Sequence, residues 1–216
     1  MLVPLVRFFA GKPKPTAEQK TALRRWFWHC AFTQRYKAGT NRLVKEDLEK
    51  IDQLASGWTV FDNLNSVIAE DLFTKTWRIN STAAKAMICL LAQLQPKSFI
   101  AGTEVDLSDS LSAYNARQFH HIYPKAFLAI KGIQFHESNV IANICMLTAS
   151  DNNAIGDNDP GDYFKEIPES VRDDVMERAA ISPEFRAGDR SYADFIAGRA
   201  SVLAAKATTL VATGTL

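Results

Sequence analysis

Phe119-His120-His121-Ile122-Tyr123-Pro124, with Asn143-Ile144 about twenty residues on and Asp151-Asn152-Asn153 after that, is the densest run of chemical information in this 216-residue chain. Arg117 to Tyr123 is rich in β-favouring residues and halts at Pro124, which has no N–H to give to a sheet. Ile141 to Thr148 (IANICMLT) predicts a second short strand. Asp151 to Asp162 is dense in Asp, Asn, Gly and Pro, so loop and short helix are expected there, with Asn152 opening the helix. Neighbouring residues on a strand point to opposite faces. His120 and His121 can therefore line one site only where the strand twists or ends, and Pro124 marks such an end.

Upstream of this stretch the pattern is helical. Residues 2–10 read as a short helix, and Gly11 to Pro15 breaks it. Thr16-Ala17-Glu18-Gln19 is a capping box for a helix expected to reach Ala38, with Gly39 as its C′ residue. Lys45–Ala55 and Phe61–Phe73 are expected as further helices. Ser81 caps a fourth over Thr82–Leu94, apolar nearly all round and so expected to be central. Downstream, Ser170–Ala180 and Tyr192–Ala205 read as helices and Thr208–Leu216 as a frayed end. The expectation is a mostly helical α+β chain, with a helical region over 1–98 and a second module with C-terminal helices over 99–216.

The formal net charge is +1 and 47% of residues are hydrophobic, which suits a globular chain and does not by itself advertise a nucleic-acid binder. The charge is unevenly spread. Residues 1–50 hold eleven basic and four acidic side chains, and residues 151–194 hold five basic and twelve acidic. The basic part could face phosphates, or both parts could be ordinary solvated faces. Cys30, Cys89 and Cys145 show no C-x-x-C spacing, which argues against a cysteine zinc site and fits free thiols in a reducing cytoplasm. The apolar opening MLVPLVRFFAGKPKP is too short to span a bilayer and lacks the marks of a signal peptide, so no membrane association is expected. Its first turn has no polar lead-in, as in a chain that starts inside a longer protein.

Of the four histidines, His29 and His136 read as structural, while the adjacent pair His120-His121 sits among other chemistry-bearing residues. Hydrolysis of a phosphodiester needs a base to activate water and a divalent cation to neutralise charge on the phosphate. Histidine can serve as that base near neutral pH.

The string from Phe119 to Pro124, with Asn143 and the run Asn152 to Pro160, resembles the HNH (ββα-metal, or His-Me finger) endonucleases. The resemblance implies a small two-stranded finger at about 112–166. It matches His121 to the general base, His120 to the first metal ligand and Asn143 to the asparagine that braces the loop between the strands. The second ligand falls on Asn152 in one alignment and on Asn153 in another, with Asn152 preferred. Histidine at 120, where the family often has a carboxylate, is softer than oxygen and neutral. It shifts preference from magnesium towards manganese, with nickel and zinc as further candidates.

Trp26-Phe27-Trp28, Arg35-Tyr36 and Asp47-Leu48 also resemble the helical region before the nuclease domain of GmrSD-type modification-dependent restriction proteins and phosphorothioate-sensing defence nucleases. That likeness implies a cytoplasmic, anti-phage DNA endonuclease or nickase, forming the C-terminal effector domain of a protein whose N-terminal part is a ParB-like NTPase domain. A non-catalytic nucleic-acid-binding module and an RNA-directed nuclease are the alternatives. Arg24, Arg25 and Arg35 could form a DNA-facing strip with the aromatics, or snorkel from a core stripe. Asp157-Asn158-Asp159 lacks the later glutamate of a calcium loop and reads as a solvated turn.

Overall fold

The computed structural model describes residues 1–108 and 119–216. Arg117 and Gln118, the start of the expected first strand, lie outside the described residues, as does the start of the expected finger. The chain is α+β and mostly helical, with one small two-stranded antiparallel sheet among the described residues. Contacts gather it into two compact units, Met1–Ile68 with Ala205–Leu216, and Ala69–Ala204. Residues 69–98 thus fall in the unit that carries the histidine pair.

The first unit is built on α1 (Leu2–Gly11), α2 (Ala17–Phe32) and α3 (Thr40–Ala55), with α1 packed on α3. The capping box forms: Gln19 N donates to Thr16 Oγ1 at 3.2 Å, and Thr16 N donates to Gln19 Oε1 at 2.9 Å. α2 stops at Phe32, short of Ala38. The Thr33 hydroxyl donates back to the His29 carbonyl at 2.6 Å, and Gln34 turns left-handed at φ +52°. Gly39, at φ +67°, precedes α3 as its N-cap instead of closing α2, and α3 begins at Thr40 instead of Lys45.

Phe8, Leu23, Trp26, Ile51 and Leu54 form the core of this unit. Buried Asp47 ties it together. It accepts from Trp26 Nε1 at 3.0 Å, from Arg35 Nε at 3.0 Å and Nη2 at 2.9 Å, and from the Tyr36 hydroxyl. The helix expected over Phe61–Phe73 does not form. Phe61 sits at φ +67°, and Asp62, Asn63, Asn65 and Ser66 favour local side-chain bonds over helix, leaving a 3₁₀ turn at Glu70–Leu72.

In the second unit α4 (Thr82–Gln93) starts where the Ser81 hydroxyl accepts from Ala84 N at 3.1 Å. It buries Ala84, Met87, Leu90 and Leu91, with Ile88 and Cys89 half-buried, so its apolar surface is a broad stripe and not the whole circumference. Then come β1 (Phe119–His121), α5 (Lys125–Ile130), α6 (Phe135–Ser138) and β2 (Ile144–Met146). The strands pair antiparallel, Phe119 opposite Met146, His120 opposite Cys145 and His121 opposite Ile144. β2 is shorter than expected because Ile141–Asn143 winds into a 3₁₀ turn.

α7 (Ala149–Ile155) follows, then α8 (Pro160–Glu166), α9 (Glu169–Arg178) and α10 (Tyr192–Thr213). α7 opens at Ala149 and not at Asn152, because Thr148 and Asp151 cap it: Asp151 N donates to Thr148 Oγ1 at 3.1 Å and Thr148 N to Asp151 Oδ2 at 3.1 Å. The Asp159 carboxylate caps α8 by accepting from Gly161 N at 2.9 Å.

α10 runs eight residues past Ala205, so the tail up to Thr213 is helical and not frayed. Its alanines are good helix formers, and its buried face explains the order. Phe195 and Leu203 are fully buried, as are Ala207, Leu210 and Val211. By length and composition α10 could cross a membrane, but it also carries the fully buried Arg199. That guanidinium donates to the Ala179 carbonyl at 3.1 and 2.9 Å and to the Ala142 carbonyl. Burial lowers its pKa to about 10, opposed by Cys145 and Tyr163.

Candidate active site

β1 ends at His121, and the turn that follows is fixed by one buried side chain. Ile122 N donates to the Asn143 carbonyl at 2.8 Å, one step beyond the strand. Tyr123 N then donates to Asn143 Oδ1 at 2.9 Å, while Asn143 Nδ2 donates to the carbonyls of Tyr123 at 3.0 Å and Ser138 at 2.9 Å. Asn143 is fully buried, and its acceptor and both its donors are engaged. It does for the turn what a backbone ladder would have done.

His120 and His121 are both half-buried. The His120 carbonyl accepts from Cys145 Sγ at 3.6 Å, and burial pushes that thiol up to about 12. His121 Nε2 lies 3.0 Å from Asn139 Oδ1, and Asn139 Nδ2 donates to the Trp77 carbonyl at 3.2 Å. These contacts assign the proton. A carbonyl can only accept, so the amide nitrogen of Asn139 must face Trp77 and its oxygen must face His121. That oxygen also only accepts, so Nε2 carries the hydrogen and Nδ1 keeps the lone pair. Trp77 N donates back to the Asn139 carbonyl at 2.8 Å, which fixes Asn139 from both sides.

Burial pushes the His121 pKa down to about 4, with Lys125 and His120 adding to the effect and the Asn139 bond opposing it. Its ring is therefore neutral at pH 7. The folded value lies below the unfolded 6.5, so the stability linked to this ring is whole above pH 6.5. It is eroded, by up to about 3 kcal/mol, as pH falls from there to about 4, below which both states carry the proton. The His121 ring signals should titrate with a midpoint below pH 5 in an NMR series. A midpoint near 6.5 would contradict the buried ring.

Asn152 and Asn153, the alternative second ligands, are both exposed on α7. Among the described residues no three His, Cys, Asp or Glu side chains gather as a metal cage. The donors in question are thus one half-buried imidazole and an exposed amide. A cation held by such a pair would be lightly bound and would keep most of its waters. Of the three arginines, Arg24 is exposed, Arg25 bonds the Asp62 carbonyl, and Arg35 is held by Asp47. His29 Nδ1 lies 3.2 Å from the Ser66 hydroxyl, and His136 is exposed.

Sequence reasoning missed Asn139 and Trp77, which position His121, and it missed the fully buried Asp151. The Asp151 Oδ1 atom accepts from the Ser98 hydroxyl at 2.7 Å and Ile100 N at 2.9 Å. A Thr-x-x-Asp spacing at 148–151 was the available signal for Asp151. Asn139 and Trp77 carry none, being 62 positions apart.

No family model matches the chain, and no solved structure matches it significantly. An uncharacterized protein of Methanocaldococcus jannaschii is 24% identical over 175 residues, a match covering 76% of this chain and 28% of that protein.

Proposed function

We propose that this chain is a metal-dependent nuclease of the HNH type that cleaves or nicks DNA. The observation that carries the reading is the turn after β1, where a buried asparagine holds the end of a strand bearing two adjacent histidines. The β1–β2–α7 order around that turn supports an HNH finger, though the sheet is only three residues per strand.

In this reading His121 is the base. Its Nδ1 lone pair removes a proton from the attacking water, and Asn139 holds the ring while the Nε2–H bond steadies the imidazolium that results. Asn143 positions the turn and touches no substrate. His120 and Asn152, or Asn153, would hold a divalent cation, manganese or magnesium, which when bound supplies charge neutralisation on the scissile phosphate. The long relative supports the further proposal that the chain is one part of a larger protein, which we read as the effector of a cytoplasmic, modification-sensing anti-phage system with a ParB-like NTPase part.

Nicking of supercoiled plasmid should be faster in manganese than in magnesium at equal concentration and absent in EDTA. His120→Asp should shift the preference towards magnesium. Equal rates in EDTA and manganese would exclude the metal-dependent mechanism. DNA binding without nicking in any metal would favour the non-catalytic module.

A further inference from the structure

Tyr123, two residues after His121, borders a pocket of about 370 Å³ walled by α5, the residues before α8 and the turn into α10. The floor is apolar and aromatic, formed by Phe127, Leu128, Ile133 and the ring of Tyr192. Tyr123 is 3% exposed as a residue, and its hydroxyl, which bonds none of the described residues, is not sealed from solvent at the pocket. Any ligand that fills the pocket and displaces water from that hydroxyl has to offer it a hydrogen bond in return. The carboxylates of Asp159 and Asp189 lie on the same side, close enough to act on that hydroxyl.

The rim is charged with both signs. Asp189 and Arg190 are exposed and make no ion pair among the described residues, and Lys131 Nζ sits 5.4 Å above the Phe127 ring. The walls are held by contacts within the fold. The Tyr192 hydroxyl donates to the Glu137 carbonyl at 2.9 Å, and its ring lies 5.3 Å from that of Tyr123. Gly188, at φ +69°, lies so close to Gly161 that an added Cβ would come within 2.5 Å of its nitrogen, so the 188–192 turn is seated on the start of α8. The pocket is thus formed before any ligand arrives.

We infer that this pocket binds a nucleotide. A simple anion would meet Asp159 and Asp189, a simple cation would meet Lys131 and Arg190, and a purely apolar ligand would leave the Tyr123 hydroxyl unmet. A nucleotide joins a flat ring, hydrogen-bonding groups on its edge and an anionic phosphate. The ring lies against Phe127 and Tyr192, Tyr123 and Asp189 take the polar edge, and Lys131 and Arg190 take the phosphate. The occupant sits against the same turn that Asn143 clamps below His121. Assigning it to a nucleotide of the cleaved strand rests on the nuclease reading; binding of a free nucleotide does not.

The test is calorimetric titration of the whole chain, in EDTA so that nothing is cut. The probes are the four deoxynucleoside monophosphates and a short single-stranded oligonucleotide. Saturable binding is expected, weakened about tenfold by Tyr123→Phe and by Arg190→Glu. Arg190 is exposed, so its variant folds even if the tyrosine variant does not. Free nucleotides that bind and displace the oligonucleotide mark a general nucleotide site; an oligonucleotide that alone binds, with the same sensitivity to both variants, marks a strand subsite. No saturation by either probe, or binding indifferent to both variants, overturns the inference. Because the readout needs no cleavage, a chain that binds nucleotides but never nicks plasmid loses the nuclease reading alone, and one that nicks without binding them loses only this one.

Discussion

Asn143→Ala is expected to destabilise the protein by about 3–5 kcal/mol, a large share of the stability of an ordinary domain. The side chain is fully buried, and its loss leaves Tyr123 N–H and Tyr123 C=O without their partners. The Ser138 carbonyl fares better, since the Tyr192 hydroxyl lies 3.3 Å away. Asn143→Asp should be no milder. It keeps an acceptor for Tyr123 N–H but turns oxygen towards two carbonyls that need donors. Urea unfolding followed by circular dichroism gives the number. A change under about 1 kcal/mol would mean that the turn is held by something other than this amide.

The second large effect falls on rate. His121→Ala should cut plasmid nicking by about a hundredfold to ten-thousandfold, the usual contribution of a positioned base. Folding should suffer little, because the half-buried ring makes one side-chain bond, to Asn139, and its loss costs about 1 kcal/mol. The two variants should therefore separate: one loses stability, the other chemistry. A His121→Ala protein that nicks as fast as the unaltered chain would remove His121 from the base role.

Where the sequence could be read well, the signals were local. The capping box at Thr16–Gln19 lies within four residues, and the strand end before Pro124 follows from a single missing N–H. The misreadings have local causes as well. Asp62 to Ser66 interrupts an apolar spacing that otherwise reads as helix, and the small residues after Ala205 look like a loose tail until their burial is seen. What could not be read is long-range. Trp77 reaches Asn139 across 62 positions, Ser98 reaches Asp151 across 53, and Arg199 reaches Ala142 across 57. Each is a single side-chain or carbonyl contact that leaves no periodicity. The histidine pair was visible in the string; the groups that hold His121 were not.

Arg199 sets a limit on how this chain can be cut and recombined. Its guanidinium joins the end of α9, through the Ala179 carbonyl, to the residue before Asn143, through the Ala142 carbonyl. The β1–β2–α7 segment is therefore not a portable cassette. A fragment ending after α8 or α9 would abandon a buried carbonyl at the base of the histidine turn, and a chimera joined between α9 and α10 would have to bring its own cation to that point. Any exchange of this segment between related chains, in the laboratory or in a genome, has to carry α10 with it.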